Sequence, residues 1–338
     1  MINMGIVSYA HVHVLKYAPT IASHPDARIV GIVGIGPNKE LAKKDADYYK
    51  CDYYENLENL FSRDDLDAIY VGTEPSEHKE VVLQAAEHGI HVLCDKPIAL
   101  NLKDADEMVE VARKNNIKLM VPFNPRFQLP MIKAKEMIDN GEIGDLQYIY
   151  AVKFGKNPRN IKDFDTSWFF DTKKSGCGGF GDIGIHAIDA LRWLIGAEAD
   201  KVYADIRYNE EGIDEMGIAT IEFRNGVITS LISGWTFPFG SAPWLDVKFE
   251  ILGKNGALVI DKPLYEPVWD FQIFTSEKAE HQDLGRRDVP ANVDEFINCI
   301  IEDREPAITG KDAKAALEIV LAAYESAKTG MEVKLPLN

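Results

Sequence analysis

The chain has 338 residues, long enough for two domains, each with its own core. Its content of 46% hydrophobic and 27% charged residues is ordinary for a globular protein. A formal net charge of −17 argues against nucleic acid or an anionic membrane as the main partner. It leaves room for an anionic cofactor, because backbone amides bind phosphate even in an acidic protein.

The chain opens on Met1-Ile2-Asn3-Met4, without a basic region, and runs straight into a strand-like segment. Strand-like runs at 4–7, 28–35, 67–72, 91–94 and 118–122 alternate with helical patterns at 14–23, 39–49, 78–88 and 102–115. Such alternation predicts βαβ units and a parallel sheet. The runs are continuously apolar, as expected of strands covered on both faces. The fold class expected for residues 1–122 is therefore α/β, a Rossmann-type doubly wound parallel sheet that binds a dinucleotide.

Beyond Asn124 the pattern changes. A helix is expected at 130–140, a strand at 147–154, a glycine-rich turn at 175–181 and a helix at 183–194. Strands at 219–223 and 227–233 flank Asn225-Gly226, and strands at 245–252 and 257–261 flank Asn255-Gly256. Asn-Gly between such runs is a strong hairpin signal. Residues 123–338 thus read as an α+β domain with a mostly antiparallel sheet, for substrate binding and oligomerisation. The closing helix, 312–328, is placed to pack back on the first domain. Cys51, Cys94, Cys177 and Cys299 are far apart and form no C-x-x-C pair. Disulfides are not expected, no apolar run is long enough to span a bilayer, and a cytoplasmic location fits.

The turn after the first strand reads Ser8-Tyr9-Ala10-His11-Val12-His13. Ser8, Ala10 and His13 stand where a G-x-G-x-x-G turn has its glycines. Two of them are small enough for a pyrophosphate to approach the backbone, and His11 and His13 either flank the phosphates or fill space. The second strand ends in Gly34-Ile35-Gly36-Pro37-Asn38-Lys39, without the carboxylate that selects an adenosine 2′-hydroxyl. NAD is expected slightly ahead of NADP.

Two motifs carry the chemistry. Cys94-Asp95-Lys96-Pro97 places a lysine just after a buried strand, before a proline whose peptide bond is a candidate for the cis form. Gly178-Gly179-x-x-Asp182-x-Gly184-x-His186-x-x-Asp189 puts a carboxylate and an imidazole four apart, on one helix face. With Thr73-Glu74-Pro75-Ser76-Glu77-His78, Asn124-Pro125-Arg126-Phe127 and Phe249-Glu250-Ile251-Leu252-Gly253, their order and spacing resemble the glucose–fructose oxidoreductase/inositol dehydrogenase (Gfo/Idh/MocA) family over nearly the full length. Asp95 replaces the usual glutamate of an E-K-P motif, and the glycine turn is the main departure.

The resemblance implies reversible oxidation of a secondary alcohol on a sugar, cyclitol or related polyol, by a homodimer or homotetramer. His186 would take the hydroxyl proton, Lys96 would stabilise the alkoxide, and Asp182 would orient the hydroxyl or the imidazole. Ser8, Tyr9, Ala10, His11, His13, Gly34, Thr73, Glu74, Pro75, His78, Asp95 and Lys96 would line the cofactor. Asn124, Arg126, Lys153, Arg159 and Trp168 would join Asp182 and His186 around the substrate. Each residue also has a structural reading: Lys96 as a surface lysine, Asp182 as a helix N-cap, His186 as a core histidine. Asp182, His186 and Asp189 lack the further ligands a metal needs, so no metal site is expected. Two other functions stay open: a transient oxidation driving glycosidase-type elimination, and a non-catalytic sugar or nucleotide sensor.

Overall fold

The computed structural model describes residues 1–235, 247–261, 268–285 and 291–337. The chain divides into two compact units. The first comprises Met1–Pro122, Ile161–Gly176 and Asp288–Lys314; the second comprises Phe123–Asn160, Cys177–Arg287 and Ala315–Asn338. The sequence reading cuts the chain once, after residue 122, whereas the chain itself returns to the first unit twice. The closing helix, Gly310–Thr329, begins in the first unit and continues in the second.

In the first unit, six strands lie parallel: β1 (Ile2–Val7), β2 (Ala27–Val33), β3 (Asp52–Tyr54), β4 (Ala68–Val71), β5 (His91–Cys94) and β6 (Leu119–Met120). Their order is β3-β2-β1-β4-β5-β6, that of a dinucleotide-binding sheet whose direction of winding reverses between β1 and β4. β3 is absent from the sequence reading, since three residues are too few to show a period. All four residues of β4 are fully buried, which explains their continuous apolar character. The helix Val14–Ser23 turns Val14, Tyr17, Ala18 and Ile21 inward, the spacing of one helix face. The helix Leu102–Lys114 starts where Asn101 accepts the Asp104 amide, and its acidic first turn lies at the surface.

The second unit holds a nine-stranded sheet: β7 (Leu146–Phe154), β8 (Ala199–Tyr208), β9 (Asp214–Phe223), β10 (Ile228–Gly234), β11 (Val247–Gly253), β12 (Gly256–Asp261), β13 (Val268–Thr275), β14 (Ala279–Gly285) and β15 (Val333–Lys334). Among the described residues of this sheet, only β7 and β10 pair in parallel. Gly226 takes a left-handed φ of 86° at the first hairpin, as Asn-Gly turns require. The second hairpin differs from the expectation. Its turn falls at Lys254-Asn255, and Gly256 opens β12, where a Cβ would lie 2.5 Å from the Phe274 carbonyl oxygen. Gly256 thus serves close strand approach rather than the turn. The start of the strand expected at 245–252, residues 245 and 246, lies outside the described residues.

One face of this sheet is covered by the helix Gly179–Ile195, which packs on β7, β9 and β10. Every residue of that helix except Ile183 and Trp193 is buried. Ile185, Ile188 and Leu191 each contribute about 1.5–3 kcal/mol by leaving water. All four cysteines are free. No helix among the described residues is long and apolar enough to cross a membrane.

Candidate functional site

The turn after β1 is built without glycine yet keeps a glycine's backbone. Ser8 adopts φ 69°, a conformation L-residues rarely hold and one that costs roughly 1–2 kcal/mol. Its side chain compensates: Oγ donates to the Ile35 carbonyl at 2.8 Å and accepts the Ala10 amide at 3.2 Å. Tyr9 is fully buried and donates to Asp45, and burial followed by that carboxylate pushes its hydroxyl pKa up. Gly34 faces Tyr53, whose hydroxyl would lie 2.1 Å from an added Cβ. Asn38 ties this region to residue 165: Nδ2 donates to the Tyr9 and Asp165 carbonyls, and Oδ1 accepts the Asp165 amide.

Trp168 lies in this first unit, not among second-unit groups. Its indole nitrogen donates to the Ala10 carbonyl at 3.0 Å, and its ring stacks on Phe169 at 3.8 Å. His11 packs against both rings.

At the carboxyl ends of β4 and β5 the expected cofactor residues also gather. Thr73, Glu74 and Pro75 are buried. Glu74 accepts from Lys174 at 3.3 Å. His78 is fully buried, with Nδ1 3.0 Å from the Pro97 carbonyl and Nε2 3.2 Å from the Thr73 carbonyl. Burial pushes its pKa down. The ring therefore braces the loop after β4 against the segment following Lys96. Lys96 itself is only 2% exposed, and the Lys96–Pro97 bond is cis.

Asp95 has no exposed surface and is surrounded by protein donors. Its carboxylate accepts from the Tyr70 hydroxyl at 2.6 Å, the Lys96 amide at 2.8 Å and His13 Nδ1 at 3.1 Å. Burial opposes its charge, yet the adjoining imidazoles and the Tyr70 hydroxyl hold its pKa well below the usual carboxylate range. The ring of His13 thus fills the third glycine position and meets a carboxylate one methylene shorter than the glutamate it replaces. These two departures from the motif form one contact.

In the second unit, Asp182 and His186 sit one turn apart on the helix Gly179–Ile195 and are 6% and 5% exposed. Asp182 is not the N-cap. Asp214, at the start of β9, does that work by accepting the Gly178 and Phe180 amides at 2.6 and 2.7 Å and the Tyr324 hydroxyl at 3.0 Å. Burial pushes the Asp214 pKa up against those bonds. Asp182 is thereby left to accept the Trp235 indole N–H at 2.7 Å. Gly179 permits the arrangement, since a Cβ there would lie 2.2 Å from the Glu215 carbonyl oxygen. His186 meets the Phe123 ring edge-on at 5.7 Å. Asp189, fully buried, takes a two-point contact from Arg126 at 2.7 and 2.5 Å.

Asn124 and Arg126 share the short turn Asn124–Phe127, Lys153 is half-buried on β7, and exposed Arg159 pairs with Glu211. Asp214 was missed because a lone aspartate opening a strand has no sequence signature of capping a helix that precedes it.

A parallel sheet wound in dinucleotide-binding order is thus followed by a largely antiparallel sheet backed by one buried helix. Residues 2–123 match the model described as "Oxidoreductase family, NAD-binding Rossmann fold", and residues 131–259 match the GFO/IDH/MocA C-terminal domain. The chain belongs to the Gfo/Idh/MocA oxidoreductase family. It is similar to the scyllo-inositol 2-dehydrogenase (NAD(+)) of Bacillus subtilis, at 28% identity over 100% of this chain and 96% of that protein. It is also similar to the D-xylose 1-dehydrogenase [NADP(+)] of Haloarcula marismortui, at 25% identity over 83% of this chain and 78% of that one. The aldose-aldose oxidoreductase of Caulobacter crescentus shares the fold, with a TM-score of 0.84 at 23% identity and 99% coverage of both chains.

Proposed function

We propose that the protein is an NAD(P)-dependent dehydrogenase that reversibly oxidises a secondary hydroxyl of a sugar, cyclitol or related polyol. The observation that carries the cofactor half is a pair of buried polar atoms, His11 Nε2 and Thr73 Oγ1, with no hydrogen-bond partner among the described residues. They follow β1 and β4, the strands between which the winding reverses, where dinucleotides bind such sheets. Each orphaned atom costs about 1–3 kcal/mol, which a bound ligand would offset. Ser8, Ala10 and the turn amides suit the pyrophosphate, and Gly34 suits the adenosine ribose. Residues 34–39 lack both a carboxylate to exclude a 2′-phosphate and an arginine to attract one, and we expect NAD to bind more tightly.

The nicotinamide ring, when bound, supplies the hydride acceptor and donor. The chain's own groups manage the proton and the charge. His186 accepts the hydroxyl proton on its imidazole, and Lys96 stabilises the oxygen as charge develops. Asp182, fixed by the Trp235 indole, orients the hydroxyl or the imidazole.

Calorimetric titration with NAD and NADP, side by side, tests this reading. Binding of either, with NAD the tighter, is expected, followed by a net nicotinamide absorbance change in a polyol screen. Failure of both to bind, with no cofactor retained from expression, would favour a sensor. Substrate consumption with no net absorbance change would favour elimination.

A homodimer or homotetramer is part of the same reading. Phe274, Ala257, Leu252, Tyr148 and Ile228 follow one another across β13, β12, β11, β7 and β10 on one sheet face, and Phe274, Leu252 and Ile228 are exposed. An apolar row of that length suits a second copy. Sedimentation velocity should accordingly find more than one copy per particle, and a monomer at micromolar concentration would count against it.

A further inference from the structure

We propose that His11, His13 and Asp95 form a binding site for a first-row divalent transition ion of the zinc class. One ligand atom from each lies within 4.8 Å of the others. His11 Nδ1 is 3.3 Å and His13 Nδ1 3.1 Å from an Asp95 oxygen. Donors at bond lengths of about 2.0–2.1 Å around a tetrahedral zinc are spaced by about 3.3 Å, which the two separations from Asp95 match, and the third lies within 4.8 Å.

His11 Nδ1 accepts the His13 amide at 3.2 Å, so its lone pair is unprotonated. That same atom faces an Asp95 oxygen at 3.3 Å. A cation between them would take the lone pair that now accepts the His13 amide and displace the proton that His13 Nδ1 shares with Asp95. The surroundings resemble the outer sphere of a metal centre: the Tyr70 hydroxyl and the Lys96 amide hold the carboxylate in place. His13 is 20% exposed, so its ring reaches solvent. Two imidazoles favour zinc, cobalt or nickel over magnesium or calcium. The site stands on these three side chains and does not depend on the dehydrogenase reading.

Cobalt(II) is the probe. Chelator-treated full-length protein, without nucleotide or polyol, is titrated with cobalt chloride and followed by visible absorption and calorimetry. One equivalent with the intense visible bands of four- or five-coordinate cobalt is expected, displaced by zinc. His11→Ala and His13→Ala should each weaken binding about 100-fold or more, beyond the 10–100-fold typical of outer-sphere losses, and Tyr70→Phe about 10-fold. His88→Ala, an exposed histidine elsewhere, should bind as the parent does. Circular dichroism confirms folding of each variant, and should Asp95→Asn fail to fold, the two histidine variants decide. No uptake at millimolar cobalt, or uptake unchanged in both His11→Ala and His13→Ala, would overturn the site.

Discussion

Replacing Lys96 by methionine should lower kcat by about 10²–10³ while leaving the fold intact, the loss typical of removing one donor that stabilises a developing oxyanion. Lys96 is almost fully buried, and methionine keeps most of its aliphatic stem, so packing is largely conserved. Stopped-flow measurement of hydride transfer, alongside a thermal unfolding curve, separates the two effects. Lys96→Arg restores charge but not shape, because a planar guanidinium cannot replace a compact ammonium within a packed site. It should recover less than a tenth of the lost rate by the same measurement. A rate within tenfold of the parent for Lys96→Met would assign the lysine to structure, the reading a strand-end lysine has in isolation. His186→Gln provides the companion measurement. If imidazole is the base, its loss should flatten the pH dependence of kcat as well as lower the rate.

The parts legible in the sequence were those written in local pattern. Continuous apolar runs gave the parallel strands, and Asn225-Gly226 marked a hairpin that the structure contains. The resemblance through Lys96, Asp182 and His186 led to the family. The rest depends on pairs distant in the chain. Nothing around His13 reports that its ring meets Asp95, 82 positions away. Nothing around Trp168 reports that its indole reaches Ala10, 158 positions earlier. Asp182 reads as a cap until Asp214 is seen to occupy that role from the following strand. Arg126, expected among substrate groups, is tied to Asp189 by a contact that neither motif reveals alone.

That contact sets the second large effect. Arg126→Met should destabilise the second unit by about 3–5 kcal/mol, because it leaves a buried carboxylate without its counter-charge. Urea unfolding followed by tryptophan fluorescence reads the loss, with the two units treated as separate transitions. Arg126→Lys should fall between parent and Arg126→Met, since an ammonium keeps the charge but not the two-point geometry. Pairing Arg126→Met with Asp189→Leu removes both charges and should return much of the stability, as replacement of a buried ion pair by apolar groups often does. This double variant also decides the role of Arg126. Arg126 shares a turn with Asn124, and that turn follows Phe123, whose ring bears on His186. With stability restored, a raised KM at unchanged kcat would assign the guanidinium to substrate binding. A lowered kcat at unchanged KM would mean that the pair holds Phe123 and His186 in position. Recovery of both constants would confine the pair to the stability of the helix and the turn beside it.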